Sequence, residues 1–193
     1  MMSYIASNSM CFIYILFIFF ISNAMGKEYM PVNVLDLTLY DGRWYQVYKD
    51  TTDMTFQGFG TCAVADYTIL NSNNVTVLNS QIDKDGSLDQ INGYAYYKSG
   101  NSGGELTVNL EGTPGNAPYW VIELGPIKDN EYQYSIVSDN NKLTLFVLSR
   151  NVSEFYELYD TMVLTSLEDF GFTNKLNKPI TMDQEKCDYS MYS

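Results

Sequence analysis

Eight short runs of alternating or wholly apolar residues, each closed by turn chemistry, constrain this chain more than any other feature. They occupy residues 44–48, 62–70, 75–82, 91–98, 105–111, 119–124, 132–138 and 142–149. Between them stand clusters such as Asn71-Ser72-Asn73-Asn74, Asp83-Lys84-Asp85-Gly86, Gly112-Thr113-Pro114-Gly115 and Asp139-Asn140-Asn141, which favour tight reversals. Runs joined by loops this short predict an antiparallel up-and-down meander. Such a sheet must hide its edges, and closing on itself does so. Eight strands leave an interior wide enough for one small molecule. The expected class is therefore all-β, an eight-stranded antiparallel up-and-down β-barrel. No linker, repeat or low-complexity block divides residues 26–193, so 25–193 reads as one domain.

Period-two alternation assigns faces within the runs. Asp66 and Thr68 should face water, which turns Ala63, Ala65, Tyr67 and Ile69 inward. Thr76 outward puts Val75 and Val77 inside, and Thr107 and Asn109 outward put Leu106, Val108 and Leu110 inside. Tyr132, Tyr134 and Ile136 share one face. Tyr94 and Tyr96 are taken as inward, and Glu123 and Gln46 are candidates for a polar contact. The last run, Leu143-Thr144-Leu145-Phe146-Val147-Leu148, is apolar on both faces, so something must cover its outside. Residues 153–168 supply it. Ser153 reads as an N-cap, Glu154 and Glu157 suit the helix dipole, Phe155, Tyr159, Met162, Val163 and Leu167 recur at helical spacing, and Gly171 can end the helix. One C-terminal α-helix packed outside the barrel is expected.

The first residues are uncharged and lead into an eleven-residue apolar run from Cys11 to Ile21, followed by Ser22-Asn23-Ala24. This reads as a signal peptide, 1–24, although its first segment carries no Lys or Arg. The apolar run is too short to span a bilayer, where about 20 residues are needed. Removal of the leader discards Cys11 and leaves Cys62 and Cys187, an even pair in an oxidising compartment. A bridge between them would close most of the mature chain, with a stabilisation ceiling on the order of 5 kcal/mol. Asn74-Val75-Thr76 and Asn151-Val152-Ser153 are glycosylation sequons.

The formal net charge is −12, and no charged residue precedes position 26. That surface disfavours nucleic acid and anionic membranes. The sequence contains no histidine, which excludes His-ligated haem and the Ser-His and Cys-His nucleophile pairs. No metal site or cofactor is expected.

Gly42-Arg43-Trp44-Tyr45, after Leu39-Tyr40-Asp41, resembles the Gly-x-Trp signature that opens the first strand of lipocalins. Leu148-Ser149-Arg150, just before the helix, resembles the third conserved region of that family. Glu131-Tyr132-Gln133-Tyr134 is loosely similar to the second. Met182-Asp183-Gln184-Glu185-Lys186-Cys187 resembles the tail of the apolipoprotein D-like and bacterial lipocalin group. The likeness covers residues 34 to 187. It implies that Gly42, Trp44 and Arg150 close the barrel base, with the guanidinium stacked on the indole. It also implies that Cys187 bridges to Cys62. The bacterial members are lipoproteins anchored through a cysteine at the cleavage site. Cys11 stands at the start of the apolar stretch, not at the cleavage site, and lacks that context, so a soluble, secreted, monomeric protein is expected.

The function expected is a carrier for a small hydrophobic ligand (fatty acid, lysolipid, retinoid or sterol class), without catalysis. The lining assigned to it is Tyr67, Val75, Val77, Tyr94, Tyr96, Leu106, Val108, Tyr132 and Tyr134. Two alternatives stand beside it. One is recognition of a protein receptor through loops at the mouth, with residues 99–104 and 112–118 as the loops. The other is a lipid-modifying enzyme, which would require a free thiol at Cys62 or carboxylate or Tyr chemistry.

Overall fold

The computed structural model describes residues 27–51, 60–97 and 102–192. The expected leader at 1–24 and the first residues of the 99–104 loop lie outside them. In chain order the elements are α1 (Leu37–Tyr40), β1 (Gly42–Lys49), β2 (Thr61–Asn71), β3 (Asn74–Ile82), β4 (Leu88–Tyr97), β5 (Glu105–Leu110) and β6 (Ala117–Leu124). Then follow β7 (Ile127–Lys128), β8 (Glu131–Tyr132), β9 (Tyr134–Ser138), β10 (Leu145–Ser149), α2 (Val152–Leu158), α3 (Asp160–Asp169) and β11 (Ile180–Thr181).

Each barrel strand pairs antiparallel with the next, β1 through β6, then β9 and β10, and β10 returns to β1 to close eight strands. The meander expected from the runs is thus the fold. Closure bends the sheet, and backbone contacts tighten at the bends. A Cβ on Gly93 would meet the Asn109 carbonyl oxygen at 2.3 Å, so only glycine allows β4 and β5 to cross this closely.

Alternation separates two apolar layers. The inward layer includes Trp44, Ala65, Tyr67, Val75, Val77, Ala95, Leu106, Val121, Val137 and Leu148. The outward layer of β6, β9 and β10, with Ile122, Ile136, Leu145 and Val147, is roofed by Phe155, Val163 and Leu167, all fully buried. Burying each of those side chains contributes about 1.5–3 kcal/mol. This accounts for the two apolar faces of the last strand. The roof breaks at Tyr159 into α2 and α3. Its N-cap is Asn151, whose side chain accepts from the Glu154 amide, rather than Ser153. Met162 is half exposed and lies outside the buried stripe.

Three features were not anticipated. The seventh run is split, because β7 and β8 form a small hairpin turned by Asp129 and Asn130, both at positive φ. A segment from Lys27 to Leu35 crosses the outside of the barrel, with Val32 N–H donating to Val121 O and Gly104 N–H to Val32 O. The C-terminal tail lies along β1, where β11 pairs with Tyr48 and Lys49 beyond the point at which β2 diverges. Gln184 fills that divergence, its Nε2 donating to Gln46 O and Ala63 O, both at 2.7 Å.

Candidate functional site

The barrel is plugged at the end where β1 begins. Asp36 caps α1, its carboxylate accepting from Thr38 N–H, and Leu37 and Tyr40, one helical turn apart, drop into the core. The Trp44 indole N–H donates to Tyr40 O at 2.8 Å, and the two rings lie 4.9 Å apart. The Arg150 guanidinium stacks on the indole, 3.8 Å from the ring centroid. Its N–H groups donate to the carbonyls of Asp41 (2.7 Å), Arg43 (2.8 Å), Leu39 (3.2 Å) and Tyr132 (3.4 Å). A planar fork can satisfy this many carbonyls at once, and an ammonium cannot. Burial pulls the Arg150 pKa below its usual value, opposed chiefly by Glu131, 3.9 Å away. Gly42 sits at φ +93, and a Cβ there would meet Arg150 Nη1 at 3.3 Å. Gly42, Trp44 and Arg150 therefore meet at one closed end.

Above this plug the wall is small and apolar. Of the nine residues assigned to the lining, Tyr67, Val75, Val77, Leu106, Val108 and Tyr132 face the interior cluster. Tyr132 belongs to the plug, where its hydroxyl accepts from Asp36 N–H at 3.3 Å. The other three lie elsewhere. Tyr94 and Tyr96 stack on each other on the outer face, with Tyr94 45% exposed, while Ala95 and Tyr97 take the inner face. The interior of a closed barrel has room for glycine and alanine at 93 and 95, not for two more phenols. Tyr134 lies under the helix against Phe155 and Tyr159 and donates to Glu123 Oε1 at 2.8 Å. The hairpin insertion puts Gln133 outside both strands, so the alternation from Tyr132 to Tyr134 fails. Glu123 shares that outer pocket with Ser166 and Lys27, which pairs with its carboxylate. Gln46 lies on the strand face of Trp44 and is buried.

Residues not anticipated as lining include Tyr40, Tyr97, Tyr119 and Phe146. Tyr119 had a signal, since it shares parity with Val121. Tyr40 had only the one-turn spacing from Leu37 behind an acidic cap. Tyr119 also holds two other phenols. Its hydroxyl is 2.8 Å from that of Tyr67 and 2.9 Å from that of Tyr40, which is in turn 3.0 Å from Ser135 Oγ. Burial pushes the Tyr40 phenol up to about 12 and raises those of Tyr67 and Tyr119. Val108, Tyr119 and Phe146 pack against the interior cluster and are only partly buried.

The loops alternate between the two ends. Residues 111–116 lie at the open end, but residues 102–104 do not. They join the plug segment, with Leu35 N–H donating to Ser102 O. A depression of about 420 Å³ lies on the outer face near the open-end loops, lined by Tyr96, Glu105, Thr107, Asn116, Pro118 and Trp120 among others. Cys62 and Cys187 are bonded, with Cα atoms 5.6 Å apart, and Cys62 takes φ 57 at a β-bulge. Among the described residues no cluster of three or more His, Cys, Asp or Glu could hold a metal ion.

The Lipocalin-like domain family matches residues 35–180. This chain belongs to the lipocalin family. The lipocalin is 31% identical over 153 residues to the outer membrane lipoprotein Blc of Vibrio cholerae, covering 79% of this chain and 86% of that protein. It is 31% identical over 159 residues to apolipoprotein D of Macaca fascicularis, covering 79% and 78%. Among solved structures, lobster apocrustacyanin A1 superposes with a TM-score of 0.58 at 18% identity, covering 84% of this chain and 96% of that one. The latter likeness shows the shared fold alone.

Proposed function

We propose that this lipocalin is a secreted carrier that holds one small, largely apolar molecule inside the barrel and performs no chemistry on it. The leader 1–24 is removed in this reading, and 25–193 is the mature domain. The observation that carries it is the interior wall. Tyr67, Val75, Val77, Leu106 and Val108 converge above a plugged base, and three inward side chains retain accessible surface. An apolar chain or ring gains about 25 cal/mol per Å² on entering such a wall. Fatty acids, lysolipids, retinoids and sterols fit its chemistry. The bonded state of Cys62 removes the thiol that a cysteine-dependent isomerase would use.

Native mass spectrometry of protein secreted from an oxidising host tests this. A few hundred daltons of extra mass, lost on solvent extraction, is the expected result. No adduct, and no uptake from a mixed-lipid challenge, would overturn the carrier reading.

A second reading is recognition of a protein through the open end. The depression beside Asn116 and Asn140 favours it. A stable complex that survives ligand extraction and is lost on replacing residues 112–116 is the result that would support it.

A further inference from the structure

The four hydroxyls of Ser135, Tyr40, Tyr119 and Tyr67 form a line on the floor of the barrel. Each hydroxyl carries one proton, and each contact consumes one. Four protons meet three contacts, so one O–H is always left over. If the protons run from Ser135 toward Tyr67, the spare O–H is at Tyr67. If they run the other way, Tyr67 keeps an unused lone pair and the spare proton is at Ser135. If Tyr119 accepts from both neighbours, its own proton turns outward. The line can therefore offer a donor or an acceptor by rotating hydroxyls, without moving a ring.

Tyr119 is the member placed to make that offer. It faces inward, sits opposite Leu106 across the β5–β6 pairing, and keeps accessible surface, whereas Tyr40, Tyr67 and Ser135 are buried. Among the described residues no Lys or Arg besides Arg150 stands at the floor; Lys49, buried opposite Phe146, is at the far end of β1. Arg150 is the cation whose field reaches Tyr40 and Tyr67. Its fork is spent on backbone carbonyls beneath Trp44. Burial drives the pKa values of Tyr40 and Tyr67 up in spite of Arg150, so the same position penalises any anion.

We propose, resting on the carrier reading above, that the floor selects ligands whose buried end is an uncharged oxygen, as in an alcohol or ketone, held by the Tyr119 hydroxyl. A carboxylate entering this end would lose its hydration for one neutral hydrogen bond. An alcohol can both donate to and accept from the line, and a ketone accepts its spare proton.

The test uses the disulfide-bonded, delipidated protein loaded with an environment-sensitive apolar dye. Four competitors of equal chain length displace it: an alkane, its primary alcohol, its methyl ketone and its carboxylic acid, at neutral pH. The expected order places alcohol and ketone at least ~5-fold tighter than the acid, the value of about one net hydrogen bond. Tyr119→Phe should bring the alcohol toward the alkane while leaving the alkane unchanged, and Tyr67→Phe, which frees one valence of the Tyr119 hydroxyl, should not weaken the alcohol. An acid that binds as well as the alcohol would overturn the proposal. So would alcohol affinity unchanged in a Tyr119→Phe variant whose melting shows it folded, or weakened in Tyr67→Phe. If Tyr119→Phe does not fold, the wild-type order and Tyr67→Phe decide. Displacement by none of the four, the alkane included, would sink the carrier reading itself and this inference with it.

Discussion

Asn151 Oδ1 accepts a hydrogen bond from the Glu154 amide at 3.0 Å, so the residue that caps the roof helix is also the acceptor asparagine of a sequon. The two roles use different atoms. The cap uses the amide oxygen, and a sugar would be attached to the amide nitrogen. Asn151→Asp should therefore abolish any glycan and keep stability, aided by the helix dipole. Asn151→Ala should cost about 1 kcal/mol. Ser153→Ala removes the sequon and leaves the cap. Urea midpoints of the three variants, with mass spectrometry for the glycan, separate the roles.

Arg150 satisfies backbone carbonyls from three segments while covering Trp44. Arg150→Ala strands those carbonyls in the base and should cost about 3 kcal/mol, within the range for breaking a buried polar network. Arg150→Lys should recover little of this, because an ammonium lacks the fork. Tryptophan fluorescence during urea unfolding reads both. A lysine variant as stable as the parent would refute this role for the fork.

Tyr134, Tyr94 and Tyr67 offer a direct contrast. Tyr134→Phe removes a hydrogen bond to Glu123 under the helix and should lower stability by about 1 kcal/mol. Ligand uptake should be unaltered. Tyr94→Ala, on the outer face, should change neither. Uptake lost in either variant would place the ligand somewhere other than the barrel interior.

Alkaline pH should unfold this protein in a characteristic way. Burial raises the phenols of Tyr29, Tyr40, Tyr97 and Tyr189 to about 12, from a usual value of about 10. A raised folded-state pKa means that the folded form holds its proton more tightly. The stability so gained is fully present below pH 10 and is lost as pH rises from about 10 through about 12. With no histidine, little change is expected between about pH 6 and 9. Denaturant midpoints against pH, recorded with tyrosinate absorbance, should show a plateau and then a steep, multi-proton fall.

Reducing Cys62–Cys187 frees a tail that Gln184 and β11 hold against β1. The expected loss is about 2–5 kcal/mol. Hydrogen exchange should show it first at Ile180 to Tyr192. Uniform loss of protection across the barrel, without an earlier phase in the tail, would argue against a locally docked segment.

The barrel was legible because turn residues punctuated it and because threonines marked the outer face beside Val75, Val77, Leu106 and Val108. The roof was legible from the doubly apolar last strand. The failures share a cause in the tyrosines. A phenol is at home on either face, so Tyr94 and Tyr96 looked as lining as Tyr67 does. Only closure, which demands small residues at 93 and 95, separates them. Tyr134 was misplaced because a two-residue turn at Asp129 and Asn130 leaves no hydrophobic trace. Glu123 looked like a ligand contact because nothing in the sequence shows Lys27 returning across the barrel to meet it. The hydroxyl line joins residues 40, 67, 119 and 135, and no local pattern connects positions so far apart.

The pairing of β1 has a consequence for biosynthesis. One end of this strand is completed by β2, but the other rests on β10 and β11, more than half the chain later. This strand must therefore wait, with half its length unsatisfied, for Leu145 to Ser149 and Ile180 to Thr181 to be made. Closure of the barrel is in that sense held back until β10 and β11 have emerged, exposed to mispairing in the interval and dependent on what shelters an open sheet in the meantime.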